Sequence, residues 1–217
     1  GYLTSRERSG YYVAHMPLLA RAPAQHLQAP VSVPIPAPEQ SEAAKLFPFS
    51  VWAKLMRGVI LDEGQYLLQP APNQGLFSLR QAIADELARQ RGLVVRPEQI
   101  FVGAGTEYFY ALLVQFLGRE QRYAIEDPCH RTLAQVYGRS GAEVVPVSMD
   151  ENGIRVQELE ESRAQIVHLS PSHHYPTGTV MPITRRQELL AWMERGEGRY
   201  LIEDDYDSEF RFSGRPI

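Results

Sequence analysis

Between residues 78 and 92 apolar side chains recur at every fourth position, Leu79, Ile83 and Leu87, and Gly92 closes the run. That spacing marks one face of an α-helix with a glycine stop behind it. The stretch before it, "FPFSVWAKLMRGVI", is amphipathic and also reads as helix. Beyond residue 98 the pattern changes. Short, unbroken apolar runs at 99–104, 122–127, 143–149, 165–170 and 199–205 predict strands. Segments with helical periodicity separate them, at 106–117, 130–140, 154–163 and 184–194.

Strand and helix therefore alternate, and the strand runs are apolar throughout rather than at every second residue. Strands buried on both sides have that look, so the expected class is α/β, a mostly parallel sheet with helices on both faces. In such a sheet ligands bind beyond the carboxyl ends of the strands. Residues directly after each strand are thus the first place to look for chemistry.

The first 44 residues follow neither pattern. "GYLTSRERSGYYV" reads as two short β runs about a polar turn. A lone hairpin is barely stable in water, so it is expected to close a larger unit. Six prolines between Pro17 and Pro38 forbid helix and favour extended backbone, as in an interdomain linker. The expected division is a domain end at 1–14, a linker at 15–44 and the α/β domain from 45 to 217.

Composition narrows the field. Hydrophobic residues make up 44% and charged residues 22% of the 217, enough to build a core. The net charge of −4 argues against a chain that coats nucleic acid with its whole surface. No apolar run nears the roughly 20 residues of a membrane span, so no membrane role is expected. The single cysteine, Cys129, excludes an internal disulfide and suits the cytoplasm. Only two lysines occur, Lys45 and Lys54, both before the alternating region.

Four strand ends carry candidate chemistry. "GAGTEYFY" puts two glycines before a helix start, where Gly105, Thr106 and Glu107 offer backbone N–H groups and a hydroxyl to an anion. "EDPCHRTL" places His130 where a flat ring would lie beside a planar ligand. "SPSHHYPTG" sets Tyr175 before a Pro-Thr-Gly turn. Its neighbours His168, His173 and His174 match no metal-ligand spacing, and no metal is expected. "YLIEDDYDSEFRF" sets Asp204 and Tyr206 behind a short apolar run. A carboxylate at a strand tip can receive a protonated ring nitrogen, which is what the pyridinium of pyridoxal 5′-phosphate (PLP) requires. Glu203, Asp205, Asp207 and Glu209 are read as loop, capping or solvated groups.

In this order and spacing, "GYLTSRERSGYYV", "NQGLFSLRQAIADELARQRG", "VGAGTE", "EDPCH", "PSHHYPTG" and "IEDDYDSEFRF" resemble the MocR subfamily of GntR-type bacterial transcriptional regulators. Such proteins join a winged-helix DNA-binding domain, through a linker, to a domain like the fold-type-I PLP-dependent aminotransferases. The resemblance implies that "GYLTSRERSGYYV" is the wing, with Arg6 and Arg8 facing DNA. It implies that Asp204 pairs with the pyridine nitrogen, that Tyr206 and Tyr175 lie on the 3-oxygen side, that His130 stacks on the ring, and that Gly105, Thr106 and Glu107 hold the phosphate. Two positions depart from the enzymes: "DPCH" stands where "DPGY" is usual, and Tyr175 replaces an asparagine.

The lysine that holds PLP as a Schiff base lies, in that fold, roughly 30 residues after the aspartate, and so is expected beyond Ile217. The chain is accordingly read as an incomplete piece of a regulator with no catalytic residue of its own. A homodimer and an amino-acid or PLP effector are expected of the complete protein. The alternatives are a PLP-dependent class I/II aminotransferase and a remnant without PLP function.

Overall fold

The computed structural model describes residues 3–7, 9–13 and 46–207. Arg8 and the proline-rich segment through residue 45 fall outside them, as does Glu209. The chain divides into two compact units, Gly1–Gly64 and Gln65–Ile217.

In the first unit, β1 (Leu3–Arg6) and β2 (Gly10–Val13) pair antiparallel, with Leu3 opposite Val13 and Arg6 opposite Gly10. The Ser9 N–H donates to the Arg6 carbonyl at 3.0 Å and closes the turn. The Arg6 guanidinium lies 5.1 Å from the centre of the Tyr12 ring. The amphipathic stretch forms helix α1 (Phe49–Leu67), none of whose residues is buried.

The second unit begins its regular structure with α2 (Phe77–Arg91). Gly92 ends it at φ 67°, the left-handed stop that its sequence announces. Arg80 and Ala84 are the residues this helix buries, although Leu79 begins the apolar row in the sequence. The Arg80 side chain is buried, and its guanidinium is hydrogen-bonded to two backbone carbonyls. It donates to the Gly75 carbonyl at 3.2 Å and the Pro97 carbonyl at 2.6 Å, tying α2 to a short 3-10 turn at Pro97–Gln99.

The strand expected at 99–104 does not form. Residues 100–104 run outside the sheet, with Phe101 more than half exposed. Among the described residues their one backbone bond to another segment is Val102 N–H to the Gln74 carbonyl, 3.0 Å. An apolar run becomes a strand only where a neighbour can pair with it, and Gly103 and Gly105 offer no side chains to hold one there.

The remaining elements follow the alternation closely. They are α3 (Thr106–Leu117), β3 (Arg122–Asp127), α4 (Arg131–Arg139), β4 (Glu143–Asp150), β5 (Gly153–Ile154), α5 (Val156–Glu161), β6 (Ile166–Leu169), α6 (Ile183–Glu194) and β7 (Tyr200–Glu203). The sheet order is β5-β4-β3-β6-β7. All pairs are parallel except β4 with the two-residue β5.

Alternate residues of the central strands feed two separate cores. Ala124, Val167 and Leu169 pack with Leu159, Leu189 and Trp192, so α5 and α6 cover one face. Tyr123, Ile125 and Ile166 pack with Val114, Leu133 and Tyr137, so α3 and α4 cover the other. The helix that follows β3 and the helix that follows β6 therefore leave in opposite directions. The crevice between those neighbouring strand ends is where a doubly wound sheet binds its ligand.

Candidate functional site

That crevice is a cleft of about 390 Å³, lined by Thr106, Tyr110, Glu126, Cys129, His130, Leu133, His168, Ser170, His174, Tyr175, Asp204 and Tyr206. Parallel register brings the contributing loops together. Ile125 lies beside His168, and Leu169 beside Glu203, so the tips of β3, β6 and β7 open on the same side.

Asp204 directly follows β7, and its N–H donates to the Leu169 carbonyl at 2.8 Å, which fixes the backbone there. Its carboxylate Oδ2 receives the Tyr110 hydroxyl at 2.5 Å and faces His168 Nε2 at 3.6 Å. These donors hold the carboxyl below its usual range, His168 contributing most and Tyr110 next, against the opposing effect of burial. Asp204 is therefore an anion at neutral pH.

Glu126, near the end of β3, meets the opposite fate. It is 3% exposed. Burial pushes it up to about 7, and its Oε2 accepts one backbone N–H, from Ser170 at 2.9 Å, which offsets only part of that. His174 Nε2 lies 3.4 Å from the same oxygen. Burial lowers His174 in turn, and its Nδ1 bonds the Thr177 hydroxyl at 2.8 Å. Glu126 Oε1 and His174 Nε2 are buried without a hydrogen bond.

Of the residues expected from sequence, Thr106, His130, Tyr175, Asp204 and Tyr206 all line the cleft. His130 and Tyr175 stand with ring centres 5.6 Å apart, and Tyr206 stacks against His173 at 6.1 Å. Gly105 caps α3 at φ 91°, a left-handed backbone that a side chain resists. Nothing lies within 4 Å of a Cβ placed there, so conformation alone asks for the glycine. Glu107 occupies the first turn of α3 and is exposed, adjoining the lining rather than forming part of it. The N–H groups of that turn have no intrahelical acceptor and are free for an anion.

The acidic tip divides by role more sharply than its sequence suggests. Asp205, expected to be a loop, capping or solvated group, forms a part-buried ion pair with Arg91, the last residue of α2. Asp207 bonds His173 Nδ1 at 2.5 Å. The three histidines of β6 and the loop after it go to separate partners: His168 to Tyr137 at 2.6 Å, His173 to Asp207, and His174 to Thr177.

Sequence reasoning missed Tyr110, Glu126 and Ser170. Tyr110 sits one helical turn after Thr106, and that i, i+4 spacing was the available signal. Glu126 was legible only as the last apolar-flanked acid of β3.

The features fit a PLP-sized ligand: an anionic carboxylate at one strand tip, flat rings about the cleft, a free helix start, and a volume within the range of cofactor pockets. The lining contains no lysine.

No family model matches the sequence. Among curated proteins the chain is 32% identical over 224 residues to the uncharacterized HTH-type transcriptional regulator YdeL of Bacillus subtilis, covering all of this chain and 48% of YdeL. It is 31% identical over 239 residues to the probable rhizopine catabolism regulatory protein MocR of Rhizobium meliloti, with the same coverage. It is 40% identical over 147 residues to the pyridoxine biosynthesis transcriptional regulator PdxR of Corynebacterium glutamicum, 68% of this chain and 32% of PdxR. The chain spans about half the length of the first two relatives.

Among solved structures it matches LysN, the α-aminoadipate aminotransferase of Thermus thermophilus, complexed with N-(5′-phosphopyridoxyl)-L-leucine. The TM-score is 0.69 and the identity 27%, over 80% of this chain and 44% of LysN. The kynurenine aminotransferase of Pyrococcus horikoshii has the same fold, with TM-score 0.70 at 22% identity, over 79% of this chain and 45% of that one.

Proposed function

The chain belongs with the MocR-type members of the GntR regulators, and on that premise we propose that it is the core of a bacterial, cytoplasmic, PLP-dependent transcriptional regulator. The observation that carries the reading is Asp204. It is an anionic carboxylate at a strand tip, held by Tyr110 and His168, in a cleft that also collects Thr106, His130, Tyr175 and Tyr206.

In this reading Asp204 accepts the protonated pyridine nitrogen. His130 lies against the ring, Tyr175 and Tyr206 address the 3-oxygen side, and Gly105, Thr106 and Glu107 receive the phosphate at the start of α3. PLP, when bound, supplies an electron-withdrawing ring able to engage an amino acid. The residues named do the remaining work: they orient the ring, keep its nitrogen protonated and neutralise the phosphate.

The rest of the protein is assigned on the same premise. Residues 1–14 end a winged helix, 15–44 link it to the cofactor domain, and 45–217 begin that domain. Arg6 and Arg8 contact DNA phosphates or the minor groove. The complete protein acts as a homodimer, and an amino-acid-like effector or PLP itself shifts DNA affinity by binding one domain arrangement better than another.

A second reading, an aminotransferase, draws support from the likeness to LysN. The two readings separate in one experiment on the full-length protein. DNA binding is measured by anisotropy with and without PLP and amino acids, beside an assay for keto-acid release. A regulator changes DNA affinity without sustained turnover. Sustained turnover with no DNA binding would favour the enzyme, and wild-type protein that binds PLP no better than Asp204→Ala would sink both.

A further inference from the structure

Behind Asp204 lies a buried line of polar groups, and within it His168 Nε2 makes no hydrogen bond among the described residues. The Tyr137 hydroxyl is 2.6 Å from His168 Nδ1, and His168 Nε2 is 3.6 Å from Asp204 Oδ2. His168 is 3% exposed and Tyr137 is fully buried. The imidazole sits edge-on to both Tyr110 and Tyr137, at 5.3 and 5.8 Å, so its ring plane is fixed by packing.

Proton placement follows from these contacts. Tyr137 is held protonated, burial raising it far above the ordinary phenol value. A Tyr137 hydroxyl that donates to Nδ1 leaves the ring proton on Nε2, pointing at the carboxylate. The opposite tautomer would set the Nε2 lone pair against an anionic oxygen in a buried site, two acceptors with no proton between them. Both contacts on Asp204 fall on Oδ2. Among the described residues Oδ1 receives no hydrogen bond.

We propose that His168, oriented by Tyr137, is a positioning residue of the cleft: with Tyr110 it pins Asp204 through Oδ2 and leaves Oδ1 as the acceptor presented to a ligand N–H. This deepens the PLP reading for the same site, yet its first test needs no cofactor. Strand geometry supplies the reason for the arrangement. His168 and Ile202 are register partners on β6 and β7, so the histidine of one strand lies beside the end of the next, two residues before the carboxylate.

The test uses full-length protein. Long-range 1H–15N spectra of the histidine-labelled apo protein report the tautomer directly. The expected result is a single form of His168 with its proton on Nε2 and none on Nδ1, lost in Tyr137→Phe. An Nδ1–H form in the wild type would overturn the proposal, whatever the protein does with PLP.

PLP affinity, read by absorbance titration, gives the second arm. His168→Leu removes the donor and should weaken binding about tenfold, the usual worth of a hydrogen bond to a charged group. His168→Gln keeps an N–H near the Nε2 position and should stay within about threefold of wild type. Equal affinities for the two variants would mean that His168 only fills space, and would overturn the proposal. Should His168→Leu fail to fold, Tyr137→Phe takes its place, with a several-fold loss expected and no loss counting against the relay. Wild-type protein that binds no PLP at all would refute the proposed function and leave the tautomer spectrum to decide the relay.

Discussion

Two carboxylates open on the same cleft, each beside a histidine and each at the end of a parallel strand, and they ionise over different pH ranges. Asp204 receives a tyrosine hydroxyl and faces an imidazole, and it stays anionic. Glu126 receives one backbone N–H, is almost sealed from water, and rises to about 7. Burial acts on both. What separates them is the number and strength of donors aimed at the oxygen. The cleft thus offers a fixed negative charge on one side and a group near neutrality on the other, which suits a ligand that carries its positive charge at one end only.

The comparison is tested hardest by removing the fixed charge. In the full-length protein, Asp204→Asn should lower PLP affinity about 100-fold, since a charge-assisted contact becomes a neutral one. The far-ultraviolet circular dichroism should be unchanged, which separates lost binding from lost fold. Retained affinity would show that the charge on Asp204 is not what holds the ligand.

The other carboxylate should respond in the opposite sense. The folded protein keeps a proton on Glu126 that the unfolded chain releases from its ordinary value of 4.5 upward. Stability therefore falls as pH rises from about 4.5 to about 7, by at most about 3 kcal/mol, and levels off above. His174 works against this at the acid end. Burial lowers it, so the folded state refuses a proton that the unfolded chain takes up below 6.5. Comparison of wild type with a Glu126 variant at each pH cancels the His174 contribution. Glu126→Gln mimics the protonated acid, and its melting temperature should exceed wild type at pH 8 and match it near pH 4. A variant less stable than wild type at pH 8 would mean that Glu126 is ionised and paired in the fold.

A smaller effect compares neighbours on the acidic tip. Arg91→Ala leaves Asp205 without its partner in a part-buried position and should cost about 2 kcal/mol, measured by urea unfolding. Adjacent Asp204 would keep its own donors, so PLP affinity should fall much less than stability.

The sheet was legible because its strands are apolar throughout and its helices are periodic; α3 and β3 fall where the pattern puts them. The run at 99–104 misled because strand propensity says nothing about whether a neighbour is available to pair. Within the site, the residues after each strand could be found by position alone, which is how Asp204, Tyr206, His130 and Tyr175 emerged. Tyr110 and Glu126 could not be found that way. One reaches the cleft from inside a helix, and the other is chemically ordinary until burial is known. Similarly, nothing in "IEDDYD" distinguishes the cleft acid from the one tied to Arg91. Only the register of β6 with β7 and the end of α2 make that choice.

The finest test of the contrast is to move Asp204 partway toward the state of Glu126. Tyr110→Phe deletes the hydroxyl on Oδ2 and nothing else, since the ring keeps its edge-on packing with Tyr137 and His168. Asp204 has a depressed folded-state value, so its contribution to stability is present above the unfolded value of about 3.9 and lost as pH falls through the folded one. With one donor gone, the folded value moves back toward the unfolded one and that contribution shrinks. The variant should lose about 1.5 kcal/mol at pH 7, the worth of one hydrogen bond to a charged group. The deficit should narrow as the pH drops below about 3.9, because a protonated Asp204 gains little from the hydroxyl. Melting temperatures at pH 7, 4 and 3 measure this. A deficit that stays constant across them would assign Tyr110 to packing alone, and the different ionisation of the two carboxylates would then rest on His168.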